Sequence, residues 1–311
     1  MESIHHKGCF VLCEQALSKS LDVSLNTGLA YAVMAAGTGR DHVTTSWSAE
    51  AIATYTGMSW RRAKEGIDNL RKAKVIVKQY GKKSRPRYRL RKPRKKLWIP
   101  MTFIFGAESE TPPIARVRQI QDADTTFLAF ALYGAQDLVE HEGLPSTLLQ
   151  RKYQSCALMA SGECEVMGFS VKEKPSCLKG SYPIPYGDPW SHLTPLFDVG
   201  VIEWVPYLTE GDDGEFIHAL SGDDLAIEVA SHLASFGEYV RTYFGYGFKS
   251  EWIIPVPRHR KRVAVIDIAR MRYRPPLTRM TRQWWFKHAL TLDEYRQFYR
   301  EKTELIQRVA A

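Results

Sequence analysis

Four arginines at alternate positions, Arg85, Arg87, Arg89 and Arg91, are the most pointed chemical feature of this chain. In an extended strand a period of two puts all four guanidinium groups on one face and Pro86, Tyr88 and Leu90 on the other. Like charges so close together repel, so the pattern is costly unless a polyanion neutralises it. Upstream, Arg61, Arg62, Asn69 and Lys72 recur at helical spacing. Their side chains match phosphate oxygens and the major-groove edges of guanine and adenine. Lys82 and Lys83 precede the arginine comb, and Lys92, Arg94, Lys95 and Lys96 follow it, which lengthens one basic track.

The surrounding charge sharpens that reading. The 311 residues carry a net charge of +9, but residues 59 to 96 alone hold 17 basic and 2 acidic groups. Residues 97 to 248 hold 8 and 21, and residues 249 to 282 hold 10 and 2. A concentrated basic block in an otherwise acidic chain calls for a polyanionic partner, nucleic acid first.

Local signals predict how these residues are carried. The apolar run Thr27 to Ala36 begins after the cap-competent Asn26 and Thr27 and stops at Gly37, which predicts a first helix. Val43 to Thr45 is a short extended piece, and Ser48 caps a second helix ending at Thr56-Gly57. Ser59 caps a third helix to about Lys72, so little more than Gly57 and Met58 make the turn, as in a helix-turn-helix. In the third helix Trp60, Ala63, Ile67 and Leu70 fall on one core-facing side, with Arg61, Arg62, Glu65, Asp68, Asn69 and Lys72 opposite. Val75 to Tyr80 and Arg85 to Arg91 then predict a β-hairpin around Gly81 to Ser84.

Ser48 to Ile76, with Ile52-Ala53, Thr56-Gly57-Met58-Ser59 and Leu70 to Ile76, resembles the winged helix-turn-helix of bacterial regulators and of phage or plasmid replication proteins. The resemblance covers about residues 25 to 96. It implies a third helix in the major groove of double-stranded DNA and a hairpin wing across neighbouring backbone. The contacts it implies here are Ser59, Arg61, Arg62, Asn69 and Lys72 from the helix, and Lys82, Lys83, Arg85, Arg87, Arg89, Arg91, Lys92 and Arg94 from the wing.

The rest of the chain reads as support. Pro112-Pro113 opens a helical region, Ile114 to Ile120, followed by a buried helix from Asp124 to about Glu140. Residues 161 to 189 show no periodicity and read as a long loop. Trp190 to Phe197, Gly200 to Leu208 and Glu215 to Leu220 repeat a helix-then-hairpin pattern, which resembles a second, degenerate winged helix more weakly. From Arg262 to Arg274, alternation puts Ala264, Ile266 and Ile268 on one strand face with Arg270, Arg272 and Arg274. The three arginines are a second set of DNA-contact candidates, against the alternative of a strand end leaving the core. Thr291 to Glu294 is a capping box for a last helix.

Catalytic and cofactor signals are thin. Gly37-Thr38-Gly39-Arg40 lacks the spacing and lysine of a phosphate-cradling loop, and His141-Glu142 lacks a second histidine for zinc. His5, His6, Cys9 and Cys13 have ligand chemistry in an unfamiliar order, and five scattered cysteines suit reduced thiols better than a disulfide framework. His259, Arg262, Trp285 or His288, and Tyr295 follow the order of tyrosine-recombinase groups, but His259 and Arg262 precede a β-prone run rather than sitting in a helix, and no upstream partner arginine stands out.

The expectation is therefore an α+β, helix-rich chain. Its divisions are an N-terminal segment 1–24, a winged helix 25–96, an acidic region 97–248, and a C-terminal α/β segment 249–311. It is expected to be a cytoplasmic, nucleoid-associated, non-enzymatic DNA-binding protein with no cofactor, metal or membrane segment. The acidic region is available for a homodimer or protein partner. A transcriptional regulator is the first role, with a replication initiator carrying tandem winged helices and a DNA-tethered adaptor as alternatives.

Overall fold

The computed structural model describes residues 8–79, 87–92, 96–106, 110–136, 143–145, 149–161, 164–171, 176–177, 188–210, 216–219, 252–257 and 263–273. They form a mixed α+β fold, helix-rich, with small antiparallel sheets. By contacts the chain divides into two units, one of Met1–Gln136, Lys179–Glu203 and Met271–Pro276, the other of Asp137–Leu178, Trp204–Arg270 and Leu277–Ala311.

The first unit starts with β1 (Cys9–Cys13) and α1 (Glu14–Val23), both within the stretch read as an N-terminal segment. Helix α2 (Leu25–Ala36) is buried almost throughout, and it starts earlier than its composition suggested. Its cap is Ser24, whose hydroxyl accepts the Thr27 N–H at 3.1 Å and pairs with the Thr27 hydroxyl at 2.7 Å, so Asn26 and Thr27 lie inside the helix. Strand β2 (Thr44–Thr45), α3 (Ala49–Thr56), α4 (Trp60–Lys72), β3 (Ile76–Gln79) and β4 (Arg87–Leu90) follow. Their sheet has the order β2-β4-β3, all antiparallel, with Arg89 between Thr44 and Val77.

Helix α4 buries Ala63, Gly66, Ile67 and Leu70. Trp60, expected on that face, is 57% exposed. Gly66 explains the difference. A Cβ there would stand 3.1 Å from the Ala30 Cβ, so α2 and α4 approach at Gly66, and the first residue of α4 projects beyond that contact.

Strand β5 (Lys96–Pro100) pairs with β1, setting Val11 opposite Trp98 and Phe10 opposite Ile99. Then come α5 (Thr102–Phe105), α6 (Pro113–Ile120) and α7 (Ala123–Ala131). The helix expected to run to Glu140 stops at Ala131 and tightens into a 3-10 turn over Leu132–Gly134, where the Tyr133 hydroxyl donates to the Tyr273 carbonyl at 2.7 Å. Asp122 caps α7 by accepting the Thr125 N–H at 2.7 Å. It also meets His192 Nδ1 at 3.1 Å, from α8 (Trp190–Asp198). No helix among the described residues is long and apolar enough to cross a membrane.

The second unit holds most of a seven-stranded sheet. Its strands are β6 (Leu149–Ser161), β7 (Cys164–Val171), β8 (Ser176–Cys177), β9 (Ile202–Glu210), β10 (Phe216–Ala219), β11 (Trp252–Pro257) and β12 (Val263–Met271). The order is β10-β9-β12-β6-β7-β11, with β8 also on β6; β9 and β12 run across the division between the units. Residues 161–189, expected as a loop, thus contain β7 and β8, because hydrogen bonds to β6 organise a segment with no amphipathic period of its own. The helix and hairpin expected over 190–220 form as α8, β9 and β10, with β9 continuing the sheet onto β12. In β12 both faces are buried from Ile266 to Ala269. The expected last helix lies outside the described residues.

Candidate nucleic-acid interface

The turn between α3 and α4 is built by local geometry and braced from a distance. Gly57 ends α3 in the left-handed region at φ 68, where a side chain is strained. The Thr56 hydroxyl donates to the Ile52 carbonyl at 2.6 Å and accepts the Met58 N–H at 3.3 Å. Arg118 of α6 then donates Nη1 to the carbonyls of Gly57 and Thr56, at 3.2 and 3.4 Å. Only Gly57 and Met58 separate the end of α3 from Ser59, whose hydroxyl accepts the Arg62 N–H at 3.4 Å and starts α4.

The outer side of α4 exposes Arg61, Arg62, Lys64, Glu65, Arg71 and Lys72. Lys64 lies over the Trp60 ring at 5.3 Å, and Arg71 pairs with Asp68 at 3.4 Å. Asn69, expected with the outward groups, is half-buried and donates Nδ2 to the Thr27 hydroxyl at 3.4 Å. Its amide therefore ties α4 to α2.

In the β2-β4-β3 sheet, Arg87 and Arg89 are exposed while Tyr88 and Leu90 are buried, the alternation their spacing demands. Arg91 and Lys92 continue the exposed cations, while Lys78 of β3, opposite Tyr88, is exposed from the other face. Burial raises the Tyr88 phenol pKa, Arg71 lowers it and Asp68 raises it, so Tyr88 faces α4 and the arginines face away. Lys82, Lys83, Arg85 and Arg94 lie outside the described residues, as do Arg274 and the recombinase-like His259, Arg262, Trp285, His288 and Tyr295.

The second arginine set does not form one exposed row. Arg270 is half-buried in the second unit. Arg272, in the first, donates to Glu110 at 3.2 Å and lies over the Tyr273 ring. Glu110 is shared further: the Tyr273 phenol donates to it at 2.7 Å, and Arg116 lies at 3.9 Å. The Tyr273 hydrogen bond, opposed by burial and aided by the two arginines, holds the Glu110 carboxyl below its usual range. Among the described residues no three His, Cys, Asp or Glu side chains gather to hold a metal ion. Cys9 and Cys13 are both free, and burial pushes the Cys9 thiol up.

At the β2 edge of the sheet, Asp41 Oδ1 accepts the N–H groups of Val43 and Thr44 at 3.1 and 3.0 Å. Hydrogen bonds from the Thr44 side chain and N–H lead the causes that lower its pKa to about 2. A depressed folded-state value means that the bracing is complete above the ordinary carboxylate value near 4 and is lost as pH falls toward about 2. We therefore expect the Val43 and Thr44 amide resonances to titrate together with a midpoint near 2, and not in Asp41→Asn. A midpoint near 4 would show that the bracing is absent in solution.

No protein-family model matches the chain, and no curated protein or solved structure matches it.

Proposed function

We propose that residues 25–96 are a winged helix-turn-helix that binds double-stranded DNA with sequence preference, α4 entering the major groove and β3–β4 flanking the backbone. The observation that carries the reading is the element order α2-β2-α3-α4-β3-β4 combined with the sheet order β2-β4-β3. That arrangement sets a short helix pair beside a three-stranded sheet, within the most basic stretch of the chain, residues 59 to 96 with 17 basic and 2 acidic groups. Arg61, Arg62 and Lys72 are assigned to the major groove, and Arg87, Arg89, Arg91 and Lys92 to phosphates. Lys82, Lys83, Arg85 and Arg94 are assigned with them on their charge alone. Asn69 acts by holding α4 on α2.

The role assigned is transcriptional regulation, without catalysis or cofactor, with the acidic region 97–248 contacting a second copy or another protein. The replication-initiator reading would take α8 and the β9–β10 hairpin as a second winged helix. The pairing of β9 with β12 inside a larger sheet favours the regulator.

Selection of bound duplexes from a random library, by the full chain at near-physiological salt, tests the reading. An enriched inverted repeat is the expected result. Arg61→Ala should relax preference at one or two positions, by about 1 to 3 kcal/mol each. Enrichment of direct repeats would favour the initiator. Binding with no enriched motif would leave only a nonspecific tether, and no duplex binding would end the reading.

A further inference from the structure

We infer that the outer face of the β2-β4-β3 sheet, together with Trp98 and His42, also receives an unpaired DNA strand, sharing the wing arginines with the duplex contact, with Trp98 as the stacking platform for a base. This rests on the proposed winged-helix reading for its biological setting, though its evidence is independent. Tyr88 turns toward Arg71 and Asp68 of α4, so Arg87 and Arg89 project from the opposite side of the sheet. The cations of the basic module therefore lie on two faces, the outer side of α4 and the arginine face of the sheet.

The second surface carries exposed apolar groups that a phosphate-only contact does not need. Among the described residues the exposed large hydrophobics are Val23, Trp60, Val77 and Trp98, and three of these lie within the basic module or at its end. Val77 is 64% exposed and pairs directly with Arg89, so it shares the arginine face. Trp98 is 50% exposed, on the same strand face as Lys96. The His42 ring meets it edge-on at 5.5 Å and 84°, which fixes the indole while half its surface stays in water.

The pair is placed beside the comb by one hydrogen bond. The Leu90 N–H donates to the Val43 carbonyl at 2.8 Å, so His42, the next residue, lies at the Arg89–Lys92 end of β4. His42 holds a left-handed backbone at φ 53, a conformation that costs energy in a residue with a side chain. The nearest carboxylate on this loop, Asp41, is turned to the backbone N–H groups of Val43 and Thr44. An indole beside Lys96 on β5, tied through His42 to the Arg89–Lys92 end of β4, is the combination that holds single strands, where cations track phosphates and an aromatic face stacks on a base. In a duplex those base faces are already stacked on one another, so the indole requires an unpaired nucleotide.

Fluorescence anisotropy with a labelled oligothymidylate of about twelve nucleotides, and with the selected duplex, tests this on the full chain. Trp98→Ala should weaken oligothymidylate binding on the order of tenfold and leave the duplex within about twofold. Trp98→Phe should restore most of the loss, and Arg61→Ala should show the reverse pattern. If Trp98→Ala does not fold by circular dichroism, Trp98→Phe compared with Trp98→Leu makes the same test. Absence of oligothymidylate binding by the unaltered chain, or binding indifferent to Trp98, overturns the inference, as does an equal loss on both probes. Trp98-dependent binding of the single strand without any duplex binding would keep this site and reject the duplex reading.

Discussion

Arg87→Glu together with Arg89→Glu should reduce duplex affinity on the order of 100-fold at physiological salt, for every sequence alike. Both side chains are exposed on β4, and neither has a hydrogen-bond or ion-pair partner among the described residues. Their removal therefore leaves the Tyr88 and Leu90 packing in place. Each phosphate contact adds about 0.9 to the slope of log affinity against log salt, so about six contacts give a slope of about −5.4 and loss of two brings it to about −3.6. At physiological salt those two contacts amount to roughly 2 kcal/mol, and reversing the charge adds repulsion to the loss. The measurement is a salt titration of binding to the selected duplex and to a scrambled one. A loss confined to the selected duplex would mean that these arginines read bases, and an unchanged slope would remove them from the interface.

The part of the fold that carries those arginines was legible because its signals are local. Ser59 caps α4, Gly57 ends α3, and residues 87–90 alternate, each within a few positions of the feature it specifies, whereas Ser48 stands at the start of α3 without the side-chain cap bond expected of it. What escaped is non-local. β1 is fixed by β5 some ninety residues later, so Cys9 to Cys13 carries no sign of its partner. Arg118 braces Thr56 and Gly57 across 61 residues, and no motif marks it. Trp60 was misplaced because helical period alone does not say how close a neighbour comes, and Gly66 decides that for α2. Among the contact residues, Asn69 was assigned outward by type, whereas the Thr27 hydroxyl turns it inward.

Strand β12 shows the same limit at a charged residue, and it yields the second large effect. Asp267 sits between Ile266 and Ile268 on β12, and its side chain is only 1% exposed. Arg151 of β6 pairs with it through Nε and Nη2, and the Tyr153 hydroxyl donates to the same carboxylate oxygen at 2.9 Å. The Arg151 guanidinium also lies over the Tyr153 and Trp204 rings, at 5.6 and 5.5 Å. Removing one partner of a buried pair strands the other charge, which costs about 3 to 5 kcal/mol. Arg151 is partly open to water, so the lower end applies: Asp267→Ala should destabilise the second unit by about 3 kcal/mol. Peptide-resolved hydrogen exchange over 149–171 and 263–270 reads this directly. Arg151→Met combined with Asp267→Leu should recover much of the loss, because two apolar groups replace the pair without an unmatched charge. A single-variant loss below about 1 kcal/mol would mean that the pair is solvated, and failure of the double variant to recover would assign the energy to packing of β12 on β6 instead.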